Sequence, residues 1–130
     1  MSDNPYQALC QSMRTKVPGF KAAGIFGFED GLMLGVDSDF PDTNRDHMSG
    51  SHVRIFDRMR SFLTMLPESI AGQMHSVVLD LASHTFFMTM DHDHTLVVMV
   101  ACDVEGGNLG MLRVISKQYL DRALNILHEP

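Results

Sequence analysis

Phe20-Lys21-Ala22-Ala23-Gly24-Ile25-Phe26-Gly27-Phe28-Glu29-Asp30-Gly31-Leu32-Met33-Leu34-Gly35-Val36 is the stretch that decides the fold. Its two apolar runs, 20–28 and 32–36, are separated by Asp30-Gly31, a dipeptide suited to the positive φ angles of a tight turn. The stretch therefore predicts a β-hairpin. Upstream, Leu9, Met13 and Val17 recur at i, i+4 and i+8 behind Pro5, which predicts a helix over 5–17 that Pro18-Gly19 stops.

Downstream, 37–44 is polar, contains Pro41 and reads as a loop. A long helix is expected over 45–66, with Thr43 and Asp46 as a capping box and Pro67 as its stop. Met48, His52, Ile55, Met59, Phe62 and Leu66 share one stripe, which Phe56 and Leu63 widen. Gly50 weakens the first turns by roughly 1 kcal/mol relative to alanine. After a connector over 67–75, three apolar runs at 76–81, 85–90 and 95–102 are joined by short links, the pattern of an antiparallel meander. The last run is apolar on both faces, so it belongs in the middle of a sheet covered on both sides. Gly106-Gly107 then turns the chain into a final helix with Asn108 as N-cap. Leu112, Ile115, Tyr119, Ala123 and Ile126 form its buried stripe, and Arg113, Lys117, Asp121 and Asn125 lie outside it.

The expected class is α+β, with the order helix-strand-strand-helix-strand-strand-strand-helix. One five-stranded antiparallel sheet carries the long middle helix on one face and the terminal helices on the other. No internal repeat, low-complexity tract or linker divides residues 1–130, so one domain is expected. At 130 residues and 45% hydrophobic content the chain can bury roughly two thirds of its unfolded surface.

Sixteen acids against ten bases give a net charge of −6, which argues against general nucleic-acid binding and against adhesion to anionic membranes. The N-terminal Met1-Ser2-Asp3-Asn4-Pro5 has no signal-peptide pattern, and the apolar run 96–102 falls far short of the ~20 residues of a membrane span. Two cysteines, Cys10 and Cys102, form no disulfide framework, and Cys102 reads as a small buried hydrophobe. The expected compartment is the cytosol.

No phosphate-binding loop, nucleophile elbow, His-Glu-x-x-His or Cys-x-x-Cys occurs, so neither a catalytic set nor a cofactor is expected. His92 and His94 would share a face of a strand, with His84 at the preceding turn. A metal site needs three or four convergent ligands, so Asp91-His92-Asp93-His94 reads as a solvated turn and no metal is assigned. His52, on the apolar stripe, reads as an interior or interface histidine. Eleven methionines chiefly fill core positions, although Met48, Met59 and Met65 would also soften a helix surface that fits a partner. Arg54, Arg58 and Arg60, with Asp57 between, fit either a solvated helix face or a contact surface.

Gly24-Ile25-Phe26-Gly27-Phe28-Glu29-Asp30-Gly31-Leu32 and Asn108-Leu109-Gly110-Met111-Leu112-Arg113, together with the order of elements, resemble the Roadblock-type domains, the dynein-light-chain and bacterial GTPase-regulator family. The resemblance runs over nearly the whole chain, from about residue 9 to 127. It implies a non-catalytic homodimeric scaffold that binds a small Ras-like GTPase or a larger complex. It further implies that third strands pair edge to edge while middle helices pack alongside each other. On this chain the implied dimer interface is Ile55, Met59, Phe62, Val77, Leu79 and Leu81, and the partner surface is Arg54, Asp57, Arg58 and Ser61. A second reading is a sensor that holds a small ligand in a polar-lined pocket between sheet and middle helix.

Overall fold

A computed structural model of the chain describes residues 4–40, 58, 61–62, 64–72, 74–105 and 108–129. The elements are α1 (Pro5–Lys16), β1 (Phe20–Gly27), β2 (Met33–Ser38), α2 (Glu68–Ala71), β3 (Ser76–Asp80), β4 (His84–Met90), β5 (Leu96–Asp103) and α3 (Leu109–Leu127). The strands form one sheet in the order β2-β1-β5-β4-β3, and every neighbouring pair is antiparallel. As its two-sided apolar pattern requires, β5 is the central strand, and its residues from Leu96 to Cys102 are all buried.

The hairpin forms, but not around a two-residue turn. The Gly27 amide donates to the Leu32 carbonyl and the Gly31 amide to the Gly27 carbonyl, each at 3.0 Å. Gly31 supplies the positive φ of 69°. The Asp30 carboxylate accepts from the Leu32 amide at 2.9 Å, so the aspartate closes its own turn through the side chain.

Both faces of the sheet are apolar. On one, Leu9 and Met13 of α1 and Leu112, Tyr119, Leu120 and Ala123 of α3 pack with Ile25, Phe87, Val98 and Val100. On the other, Phe26, Met33, Met88, Met90, Val97 and Met99 form a second buried cluster. Asn108 caps α3 as expected, accepting from the Met111 amide at 3.0 Å. The buried stripe of α3 is rotated from the expected one. Ser116 and Leu120 are interior, while Ile115 and Ile126 are half-buried, because the helix beds against β4 and β5 as well as α1.

The long middle helix expected over 45–66 lies outside the described residues except at Arg58, Ser61 and Phe62, which are helical, and at the turn 64–66. The Met65 amide closes that turn on the Phe62 carbonyl at 3.0 Å. The connector read over 67–75 contains a further short helix, α2. Pro67 both ends one helical stretch and precedes the next, since its fixed φ suits a helix start.

Helix α1 comes unusually close to β2. A Cβ placed on Gly35 would stand 2.8 Å from the backbone of Tyr6 and Gln7, atoms that cannot swing aside. Gly35→Ala is therefore expected to destabilise the chain by about 1–3 kcal/mol, read as a lower denaturant midpoint. Gly24→Ala is the control: its added Cβ would meet only the flexible ends of Met33 and Met99, at 3.5–3.7 Å, and the midpoint should move far less.

Candidate functional site

The two edges of the sheet are treated differently. The Gln7 side chain bonds the β2 edge twice, donating to the Val36 carbonyl at 2.6 Å and accepting from the Val36 amide at 3.0 Å. Asn4 donates to the Leu34 carbonyl at 2.9 Å. Arg14 grips Asp37 through Nε and Nη2, both at 2.9 Å, reaches Asp39 through Nη1 at 3.1 Å and lies over the Phe20 ring. Hydrogen bonding to Arg14 holds the Asp39 carboxyl below its usual range, and the carboxylates keep Arg14 charged. That edge is closed by α1.

The β3 edge has no such cover among the described residues. At its two ends the Leu81 amide donates to the His84 carbonyl at 2.9 Å and the Met90 amide to the His75 carbonyl at 3.2 Å. Ladder bonds alternate along an antiparallel strand, so Val77 and Leu79 point their amides and carbonyls at β4. Ser76, Val78 and Asp80 point theirs outward. The side chains alternate as well: Val77 is buried, Leu79 half-buried, and Val78 and Asp80 exposed. Arg113 of α3 stands beside this edge, within 3.5 Å of the Ser76 hydroxyl and over the Phe87 ring.

Of the residues picked from sequence, Arg54, Ile55, Asp57 and Met59 lie outside the described residues. Arg58 and Ser61 are exposed. Phe62 (57% exposed) and Leu81 (54%) are large apolar side chains facing solvent, and Met65 (81%) and Ile70 (71%) join them. Val78 and Ile70 were missed. Val78 had a legible signal, an aliphatic residue alternating with Ser76 and Asp80 on the polar face of a strand, whereas Ile70 sat in a segment read as connector.

His84 stands at one end of β4, and His92 and His94 lie beyond the other in the turn expected over 91–94, not in a strand where they would share a face. His94 has φ 53°, bonds the Met74 carbonyl through Nε2 at 2.8 Å and stacks on Phe28. Among the described residues no three His, Cys, Asp or Glu side chains are grouped to hold a metal. Both cysteines are buried, and burial followed by the charge of Asp103 pushes the Cys102 thiol up, away from a reactive thiolate. The sheet face that would floor a sensor pocket is apolar, and the buried polar side chain among the described residues, Ser116, belongs to α3. No described helix is long and apolar enough to cross a membrane.

The geometry defines a class: an α+β sandwich with one sheet edge capped and the other uncovered among the described residues. No family model matches the sequence, and neither does any curated protein. Solved structures do match the fold. A Roadblock/LC7 domain from Streptomyces avermitilis superposes with a TM-score of 0.79 at 20% identity, over 95% of this chain and 98% of that one. MglB from Myxococcus xanthus superposes with a TM-score of 0.74 at 13% identity, over 98% of both chains. An MglB with a tetrameric arrangement gives 0.67 at 9% identity, over 94% of this chain and 89% of that one. The chain has a Roadblock-type fold.

Asp91 fixes the turn between β4 and β5, its carboxylate accepting from the Thr95 and Leu96 amides at 2.7 and 2.9 Å. Burial alone would raise its pKa, but these bonds outweigh burial and hold it below the usual value. Asp91→Ala should cost about 1–3 kcal/mol at neutral pH. A depressed folded-state pKa stabilises above the unfolded value near 4 and loses that contribution as pH falls through the folded value. Thermal melts from pH 7 down to pH 3 should therefore show the gap between wild type and variant closing; a constant gap would contradict this.

Proposed function

We infer that the chain is a non-catalytic, dimeric regulator that docks a small Ras-like GTPase. The observation that carries this reading is the difference between the two sheet edges. A row of outward amides and carbonyls on β3, with exposed Val78 on the strand and exposed Leu81 just beyond it, is a template for another strand. Two-fold pairing centred on Val78 would set Val78 against its own copy and Ser76 against Asp80. Every outward group on the strand then finds a partner, and the contact closes as an isologous dimer. The similarity in fold to an MglB with a tetrameric arrangement supports association of this kind.

The partner surface in this reading is the middle-helix face carrying Arg54, Asp57, Arg58 and Ser61, doubled across the two-fold axis. Arg58 is exposed, and Arg54, four residues earlier in the sequence, adds a second positive charge on a chain of net charge −6. Guanidinium groups of this kind orient an acidic partner and speed its association. GTPase binding itself comes from the resemblance to the Roadblock family.

The backbone directions choose the test. Proline at Leu79 would break the ladder inside the subunit, whereas Val78→Pro removes an outward donor and leaves the β3–β4 ladder intact. Light scattering at micromolar concentration should give a dimer mass for wild type and a monomer mass for Val78→Pro, with matching circular dichroism. A monomeric wild type sinks the dimer. For the platform, Arg54→Glu with Arg58→Glu should cost no more than about 0.5 kcal/mol per site in stability while weakening capture of the GTPase and flattening its salt dependence. Unchanged affinity would move the platform elsewhere.

A further inference from the structure

At one end of the sheet, the β1–β2 hairpin, the β4–β5 turn and the C-terminal end of α3 enclose a groove of about 440 Å³. Leu32 and Leu127 form its sides, with buried Leu96 as its floor. Leu32 is 61% exposed, although its backbone is held from both sides by the Gly27 amide and the Asp30 carboxylate. An exposed leucine on a rigid turn costs little entropy to engage, which suits it to anchoring a partner.

The edge of the groove is acidic. Glu29, Asp30 and Asp93 stand around it, and among the described residues no Lys or Arg lines it. Leu127 closes α3, whose last turn holds no basic residue, so the partial negative charge of the helix C-terminus adds to the same field. His94 on the wall is engaged with the Met74 carbonyl and with Phe28. An apolar floor under carboxylates selects against nucleic acid, an anionic membrane, and a second copy of a chain whose own net charge is −6.

We propose that this groove docks a short basic segment of a partner protein, one or two aliphatic side chains seated on Leu32, Leu96 and Leu127 and flanking Lys or Arg paired with Glu29, Asp30 and Asp93. The groove shares no residue with the β3 edge or the middle-helix face, so the proposal stands independently of the GTPase reading.

The test is fluorescence anisotropy on the full chain with a fluorescein-labelled peptide carrying two leucines flanked by lysines. One counterpart has glutamate for lysine, the other alanine for leucine. The basic leucine peptide should bind, and both counterparts should bind at least about tenfold more weakly. Leu32→Ser should weaken binding at least about tenfold, and Glu29→Lys with Asp93→Lys by as much. Glu68→Lys with Glu105→Lys, an equal change of net charge on residues outside the groove, should leave affinity within about twofold. No binding by the basic leucine peptide overturns the proposal. So does equal weakening by the distant charge pair, which would mark general attraction to an acidic protein. A drop in oligomer mass on Leu32→Ser with peptide affinity unchanged would assign the groove to a second copy instead, and also overturns it.

Discussion

An edge strand in water must either satisfy its outward amides and carbonyls or be paired by another chain, and Gln7 meets that demand on β2. Its carboxamide presents one donor and one acceptor at the spacing of a peptide group, so it bonds Val36 as a neighbouring strand would. Asn4 does the same for the Leu34 carbonyl while still capping α1. The contact works only because the first turn of α1 lies almost on the strand, and the missing Cβ of Gly35 makes that approach possible. Once α1 is seated there, Leu9, Cys10 and Met13 reach the sheet beside α3, and Ser12 meets the Tyr119 hydroxyl at 2.6 Å.

Closing one edge gives the other its meaning. Nothing described on β3 plays the part of Gln7: Arg113 reaches a side-chain hydroxyl rather than the strand backbone. Antiparallel sheets with two open ends can grow in both directions, whereas a capped edge accepts no further strand. The charge distribution follows the same division. Asp37 and Asp39 are both paired with Arg14 beside the capped edge, whereas Glu29, Asp30 and Asp93 are gathered at the hairpin end with no Lys or Arg lining their groove among the described residues.

What was legible in the sequence was what local chemistry decides. Asp30-Gly31 marked the hairpin, Asn108 the cap, and the two-sided apolar run at 96–102 the central strand, each from a few adjacent residues. Less legible were features set by register or by approach in space. Which β3 amides face outward depends on how the Leu81–His84 turn closes, and that geometry is what makes Val78, and not Leu79, the position where proline spares the ladder. His84 and His92 look close in sequence, yet β4 runs between them. In sequence, the Asn4 and Gln7 contacts look like an ordinary helix start, because the strand they cap lies about thirty residues away. Least legible is whether a helix face meets a partner, because arginines on a helix have the same spacing whether they meet solvent or a protein.

The methionines complete the physical picture. Met33, Met88, Met90 and Met99 all belong to the cluster on the face away from α1 and α3, while Met13 belongs to the other. Branched and aromatic side chains such as Ile25, Val98, Val100 and Phe87 lock the first face into few rotamers, which fixes α1 and α3 and hence the capped edge. Unbranched thioethers can re-pack under a shifting neighbour with little loss of contact. The two faces of the sheet thus differ in the stiffness of the side chains that fill them. Gly24 is part of that design, because a Cβ there would meet only methionine side chains, in ordinary contact.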